Sequence, residues 1–176
     1  MTAPLMGKLE WKPAAEVPEL LAAPVRDALG ALPAYAAGID AELADTAAFC
    51  AEYDVPMAAS ANCVVVLGKR GGEASYAAVL VLATDRADVN GVIRKHLGVR
   101  KISFAAQDDA VGSTGMEYGG ITPIGLPADW PVLVDEAVVQ AGPVVIGSGI
   151  RGSKILIDGA ELAKLPTATV LDLAQH

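Results

Sequence analysis

Only two histidines and two cysteines occur in the 176 residues, and one of the histidines, His176, is the final residue. That scarcity removes most side-chain catalysts. A Ser-His-Asp or Cys-His mechanism would have to use His96, which lies in Arg94-Lys95-His96 at the end of an expected helix. A cation is favoured there by the helix dipole, so His96 reads as a structural or solvated residue. No G-x-S-x-G, H-E-x-x-H or phosphate-loop pattern is present, and neither Cys50 nor Cys63 has C-x-x-C or His-rich spacing. No metal and no organic cofactor is expected. The cysteines read as buried free thiols in a reducing compartment, with a disulfide between them left open. Aromatic residues are only 5% of the chain against 53% hydrophobic, so the core must be built from Ala, Val, Leu and Ile. No apolar run reaches the roughly 18 residues of a membrane span. Met1 to Leu9 lacks a signal peptide's basic and apolar regions, so a cytoplasmic protein with no membrane partner is expected. The net charge of −8 disfavours DNA and nonspecific nucleic-acid binding. Any RNA contact needs a local basic patch.

What the chain does contain reads as one α+β domain. Residues 1–35 form an Ala-, Leu- and Pro-rich extension, and Val17 to Leu32 has helix-like apolar spacing. Residues 36–176 carry the rest. Asp40 is placed to cap a helix running to about Tyr53. Cys63 to Leu67 and Tyr76 to Leu82 read as paired strands, with a hairpin loop at 68–73. Asp88 caps a helix ended by Gly98, a strand follows to Ala105, and a brief helix lies near 108–113. Pro131 to Asp135, Pro143 to Ile146, Ser153 to Ile157 and Thr169 to Leu173 read as strands, and 159–165 as a helical turn or two. Hairpins interrupted by single helices predict a mixed sheet with flanking helices, not a doubly wound fold.

The densest signal is Ser113 to Gly125, where four glycines and a proline fall in 13 residues. Glycine permits close approach and unusual backbone angles, and proline stiffens the exit, so such a loop can present main-chain N–H groups to a carbonyl or phosphate. Gly147-Ser148-Gly149-Ile150-Arg151-Gly152 matches G-x-G-x-x-G, but a strand is expected after it where a dinucleotide site needs a helix. A tight loop lining the same pocket as Gly119 is the better reading. Asp135 closes an apolar strand, where it could bind an amino group or hold a loop by accepting N–H bonds; both roles stay open. Basic residues cluster at Lys69-Arg70, at Arg94-Lys95 with Arg100-Lys101, and at Arg151 with Lys154.

Gly119-Gly120-Ile121-Thr122-Pro123 has the G-x-x-x-P form that resembles the signature loop of the YbaK/prolyl-tRNA-synthetase-associated family. Ser113-Thr114-Gly115 before it, the strand ending in Asp135 and Gly147-Ser148-Gly149 with Arg151-Gly152 after it follow in the family's order. The resemblance covers about residues 35–173. It implies a curved, barrel-like mixed sheet around a pocket, and a free-standing aminoacyl-tRNA deacylase that acts in trans on the acceptor end of mischarged tRNA in translation fidelity. A homodimer is left open. By the same resemblance, Gly119 and Gly120 would be the catalytic carbonyl or oxyanion donors, with Asn62 positioning the substrate. Thr114, Gly115, Ile121, Thr122, Pro123, Asp135, Gly147, Ser148, Gly149 and Arg151 would contact the substrate. The family usually has a lysine where Asn62 stands, so a non-catalytic binding module of the same fold is the alternative.

Overall fold

The computed structural model describes residues 4–175, and His176 lies outside the described residues. The β-branched run around Val64–Val66 lies within a long strand, β3 (Ala61–Arg70), which folds back antiparallel on β4 (Glu73–Leu82). The connection is tighter than expected, because pairing continues to Arg70↔Glu73 and leaves only Gly71 and Gly72 to turn the chain. Both have positive φ, 58° and 85°, as a type I′ hairpin turn demands.

Seven further strands complete the mixed β architecture around this hairpin among the described residues. Before it come β1 (Lys12–Pro13) and β2 (Tyr35–Gly38), while β5 (Lys101–Phe104) follows it; β6 (Val132–Asp135), β7 (Pro143–Gly147), β8 (Ser153–Asp158) and β9 (Ala168–Leu171) come later. One ladder runs β5-β3-β4-β6-β9, with β6 and β9 parallel to their neighbours; the other runs β1-β2-β8-β7. A single parallel bridge, Ser60↔Val145, joins the two where β3 begins. The G-x-G-x-x-G segment connects β7 to β8 as antiparallel neighbours, so no helix follows it.

Helices cover the ladders: α1 (Ala23–Leu29), α2 (Thr46–Tyr53), α3 (Arg94–Leu97), α4 (Gln107–Thr114), α5 (Glu136–Gln140) and α6 (Gly159–Leu162). The helix expected from Val17 to Leu32 is broken into a 3-10 turn, Pro18–Leu20, followed by α1, because Pro18 and Pro24 each start a new turn and cannot continue the previous one. Its apolar residues Val17, Leu21, Val25 and Leu29 still pack into the main core with Leu80, Val134, Ile146 and Ile155. Asp40 caps a 3-10 turn, Ala41–Leu43, through Glu42 N–H at 3.0 Å; the α-helix begins only at Thr46. Asp88 accepts from Gly91 and Val92 N–H and opens the wide turn leading into α3, which Gly98 ends at φ 66°. The final strand stops at Leu171, short of the expected Leu173, whose N–H turns instead to a side chain.

Candidate active site

Where β7 meets the start of β3, a cavity of about 430 Å³ opens. Its walls are the first turn of α2, the stretch from β5 into α4, and the glycine loop. The bridge Ser60↔Val145 sets this meeting point, and the residues after Ser60 then run along the cavity wall.

Asn62 is half-buried in that wall, and the Thr46 hydroxyl at the start of α2 donates to its Oδ1 at 2.6 Å. With the carbonyl end engaged, the amide keeps its N–H donors for a ligand. Gly119 lines the opposite side at φ 87°. Its N–H makes no hydrogen bond among the described residues. Arg151 fixes this stretch without lining the cavity. Its Nη1 donates to Tyr118 O and its Nη2 to Ala41 O, both at 3.1 Å, and its backbone N–H donates to Glu117 Oε1 at 2.7 Å. The guanidinium thus straps the glycine loop to the turn before α2.

Gly120 does not share the role expected of it. Its N–H closes a turn on Glu117 O at 3.0 Å, and its carbonyl accepts from Gly149 N–H at 2.6 Å. A Cβ on Gly120 would sit 2.7 Å from the Ile150 backbone, so this glycine serves close packing between two loops. Of the residues expected to contact substrate, Ile121 and Gly147 line the cavity with Asn62 and Gly119; the others do not. Thr114 is buried and hydrogen-bonds Ala110 O and Met116 N–H, finishing α4, while Gly115 supplies the left-handed residue after it. Thr122 and Pro123 are buried, and the Thr122 hydroxyl has no partner among the described residues. The Ser148 hydroxyl, fully buried, ties Ile150 and Ser153 together, and Gly149 packs on Ala22. Asp135 is 1% exposed, and its Oδ1 accepts from Leu173 N–H at 3.1 Å. Of its two readings, holding a chain segment is the one its contacts support.

Lys154 belongs to the cavity although it was grouped only with the basic clusters. It is 7% exposed, its Nζ donates to Ala44 O at 3.0 Å, and it lies 5.2 Å from the Phe49 ring centroid. Burial holds the amine below the ordinary lysine range; Cys50 and Asp45 oppose that shift, and Arg151 adds to it. The sequence signal was a lone cation directly ahead of Ile155-Leu156-Ile157. The other new features are aromatic: Phe104 and Tyr118, 65% and 53% exposed, stand at the cavity wall.

Chemically, the site offers amide donors and one ammonium, with Asp45 near the rim. Both cysteines are free thiols. Cys63 lines the wall, but burial pushes its thiol up to about 12, so it carries no thiolate at neutral pH. Among the described residues, no group of three or more His, Cys, Asp or Glu side chains is placed to hold a metal ion. Likewise, no helix there is long and apolar enough to cross a membrane. Such a site suits a polar carbonyl or anion whose reaction depends on stabilised charge rather than on a titrating base.

Three solved structures resemble this fold. A candidate trans-editing enzyme for prolyl tRNA synthetase is 20% identical with a TM-score of 0.74, covering 95% of this chain and 100% of its own, so the likeness takes in the N-terminal lead-in. A scaffold protein used for epitope backbone grafting is 22% identical with a TM-score of 0.75, covering 88% and 97%. The hypothetical protein APE2540 is 23% identical with a TM-score of 0.67, covering 75% and 85%. These likenesses establish the fold. The family model for the aminoacyl-tRNA editing domain matches residues 40–165, which takes in the cavity-lining residues from Ala44 to Lys154. The chain belongs to the aminoacyl-tRNA editing domain family.

Proposed function

We propose that this protein is a deacylase acting in trans, hydrolysing the ester that joins a wrong amino acid to the terminal ribose of tRNA. The observation carrying this reading is the convergence of Gly119, with its unbonded N–H, Asn62 and Lys154 on one cavity. At about 430 Å³ the cavity falls within the range of small-molecule sites, large enough for an aminoacyl group with its ribose. In this reading the Gly119 amide receives the ester carbonyl oxygen. Water attacks the carbonyl carbon, negative charge develops on that oxygen, and the amide dipole stabilises it. The C–O bond to the ribose then breaks; one proton of the attacking water goes to the ribose oxygen, which leaves as a hydroxyl, the other passes to solvent, and the amino acid departs as a carboxylate. The vicinal ribose hydroxyl orients the water, which suits a wall whose one carboxylate, Asp45, is exposed near the rim. Asn62 hydrogen-bonds the substrate, and Lys154 provides the positive charge that position 62 lacks.

Purified protein incubated with tRNAs carrying alanine, cysteine, serine or proline tests this. Cleavage of one ester well above its spontaneous rate is expected; spontaneous rates throughout at micromolar protein would end the enzyme reading. A second reading, a binding module without turnover, is favoured by Asn62, whose neutral amide cannot neutralise a phosphate. Activity gained by Asn62→Lys from a silent wild type would support it, and an active wild type would refute it.

A further inference from the structure

Outside the cavity, β3 and β5 build a second concavity of about 470 Å³, lined by Lys69, Arg94, Arg100 and Lys101 together with Asn90 and Ser103. No carboxylate lines it, in a chain whose net charge is −8. Lys69 stands directly opposite Lys101 in the ladder, an arrangement that destabilises paired strands. Lysine on an edge strand such as β5 deters edge-to-edge pairing, but one suffices for that, and two facing lysines beside two arginines exceed the need. β5 then leads out of this groove. Phe104, three residues and about 10 Å beyond Lys101, lies on the other face of this edge strand, so a chain following the charges reaches it by crossing the β5 edge; it is 65% exposed and already belongs to the cavity wall. A large aromatic surface left in water next to a cation-lined groove is the pairing that single-stranded nucleic acid recognises: phosphates follow the charges and a base covers the ring.

We propose that the β3–β5 edge is a docking track for a single-stranded RNA 3′ tail, with its phosphodiesters in the Lys69–Arg100–Lys101 groove and a base stacked on Phe104. The inference rests on the editing reading for which strand binds, since a tail held this way delivers its terminal ribose to the cavity. The acidic remainder of the surface repels any longer duplex that does not enter along this edge.

The test uses a fluorescein-labelled, uncharged RNA hairpin ending in a single-stranded CCA tail, titrated by anisotropy between 50 and 200 mM salt. Lys69→Gln, Arg100→Gln and Lys101→Gln combined should lower the slope of log affinity against log salt by about 2, roughly 0.7 for each lost phosphate contact. Phe104→Ala should weaken binding roughly 5- to 150-fold and leave that slope unchanged. Lys164→Gln, which neutralises a cation already paired with Glu161, should change neither. Because all of these side chains are exposed, the thermal midpoints of the single variants should hold, while relief of the Lys69–Lys101 repulsion should raise that of the triple variant. A wild-type slope in the triple variant would overturn the proposal. So would equal affinity for a blunt hairpin without the tail, or no binding by the wild type at 50 mM salt. Groove-dependent binding without hydrolysis of any aminoacyl ester would refute the editing reading while leaving the track in place.

Discussion

Gly119→Ala tests both the backbone geometry and the chemistry assigned to it. At φ 87° a residue with a Cβ is strained, at a cost of about 1–3 kcal/mol. The added Cβ would also lie 2.5 Å from Arg151 Nη1 and 3.9 Å from the Ala44 Cβ. The guanidinium is the flexible end of a long side chain, so it would move, releasing its bonds to Tyr118 O and Ala41 O. Those bonds are solvent-exposed, and their loss adds only about 1 kcal/mol. A total of about 2–4 kcal/mol is expected, read as a shift in the urea midpoint at constant m. Alanine keeps the backbone N–H, but relaxing the strained φ turns it away from the cavity, so single-turnover hydrolysis of the preferred mischarged tRNA should fall, by up to the ~100-fold typical of a lost oxyanion donor. Arg151→Ala separates the two contributions: it frees the loop without adding a Cβ, and should cost about 1 kcal/mol. If Gly119→Ala stays within about 0.5 kcal/mol of wild type, or hydrolyses ester at the wild-type rate, the reasoning about this loop is wrong.

Two more outcomes follow from the buried polar groups. The Lys154 amine titrates below the ordinary lysine value of 10.5 in the folded protein, so the unfolded chain binds that proton more tightly. Stability should therefore rise with pH from the lowered folded value up to about 10.5, and Lys154→Met should lack that increment in urea midpoints measured from pH 7 to 10.5; identical pH profiles would contradict the burial argument. Asp135→Ala leaves the buried Leu173 N–H without its acceptor and should cost about 1–3 kcal/mol. Because Asp135 lies outside the cavity, KM for any ester substrate should not change, and a rise in KM would restore the amine-binding role.

Local rules carried far where the signal was short-range. The hairpin, the Asp88 cap and the Gly98 stop each depend on residues within a few positions of one another, and each is present, though the hairpin turns in two residues instead of a loop at 68–73 and the Asp88 cap opens a wide turn before α3. The glycine loop was likewise legible as a loop, and the order of its motifs pointed to the family. The lead-in misled because helix-like apolar spacing says nothing against Pro18 and Pro24, whose missing N–H groups divide it into turns. Adjacent glycines also look alike in a sequence. Gly119 carries an unbonded N–H beside the cavity, whereas Gly120 is spent on packing against Ile150.

Composition and motif order by themselves determined that this chain is an α+β protein of an editing family with hardly any titrating catalyst to offer. Only the tertiary structure decided which polar groups share a space. Lys154 and Asn62 are 92 positions apart, and they line one cavity because Ser60 bridges Val145 and draws β7 alongside β3. The physical reason is that a side chain's partners are set by strand pairing across long loops, and a linear reading of spacing contains no measure of that distance.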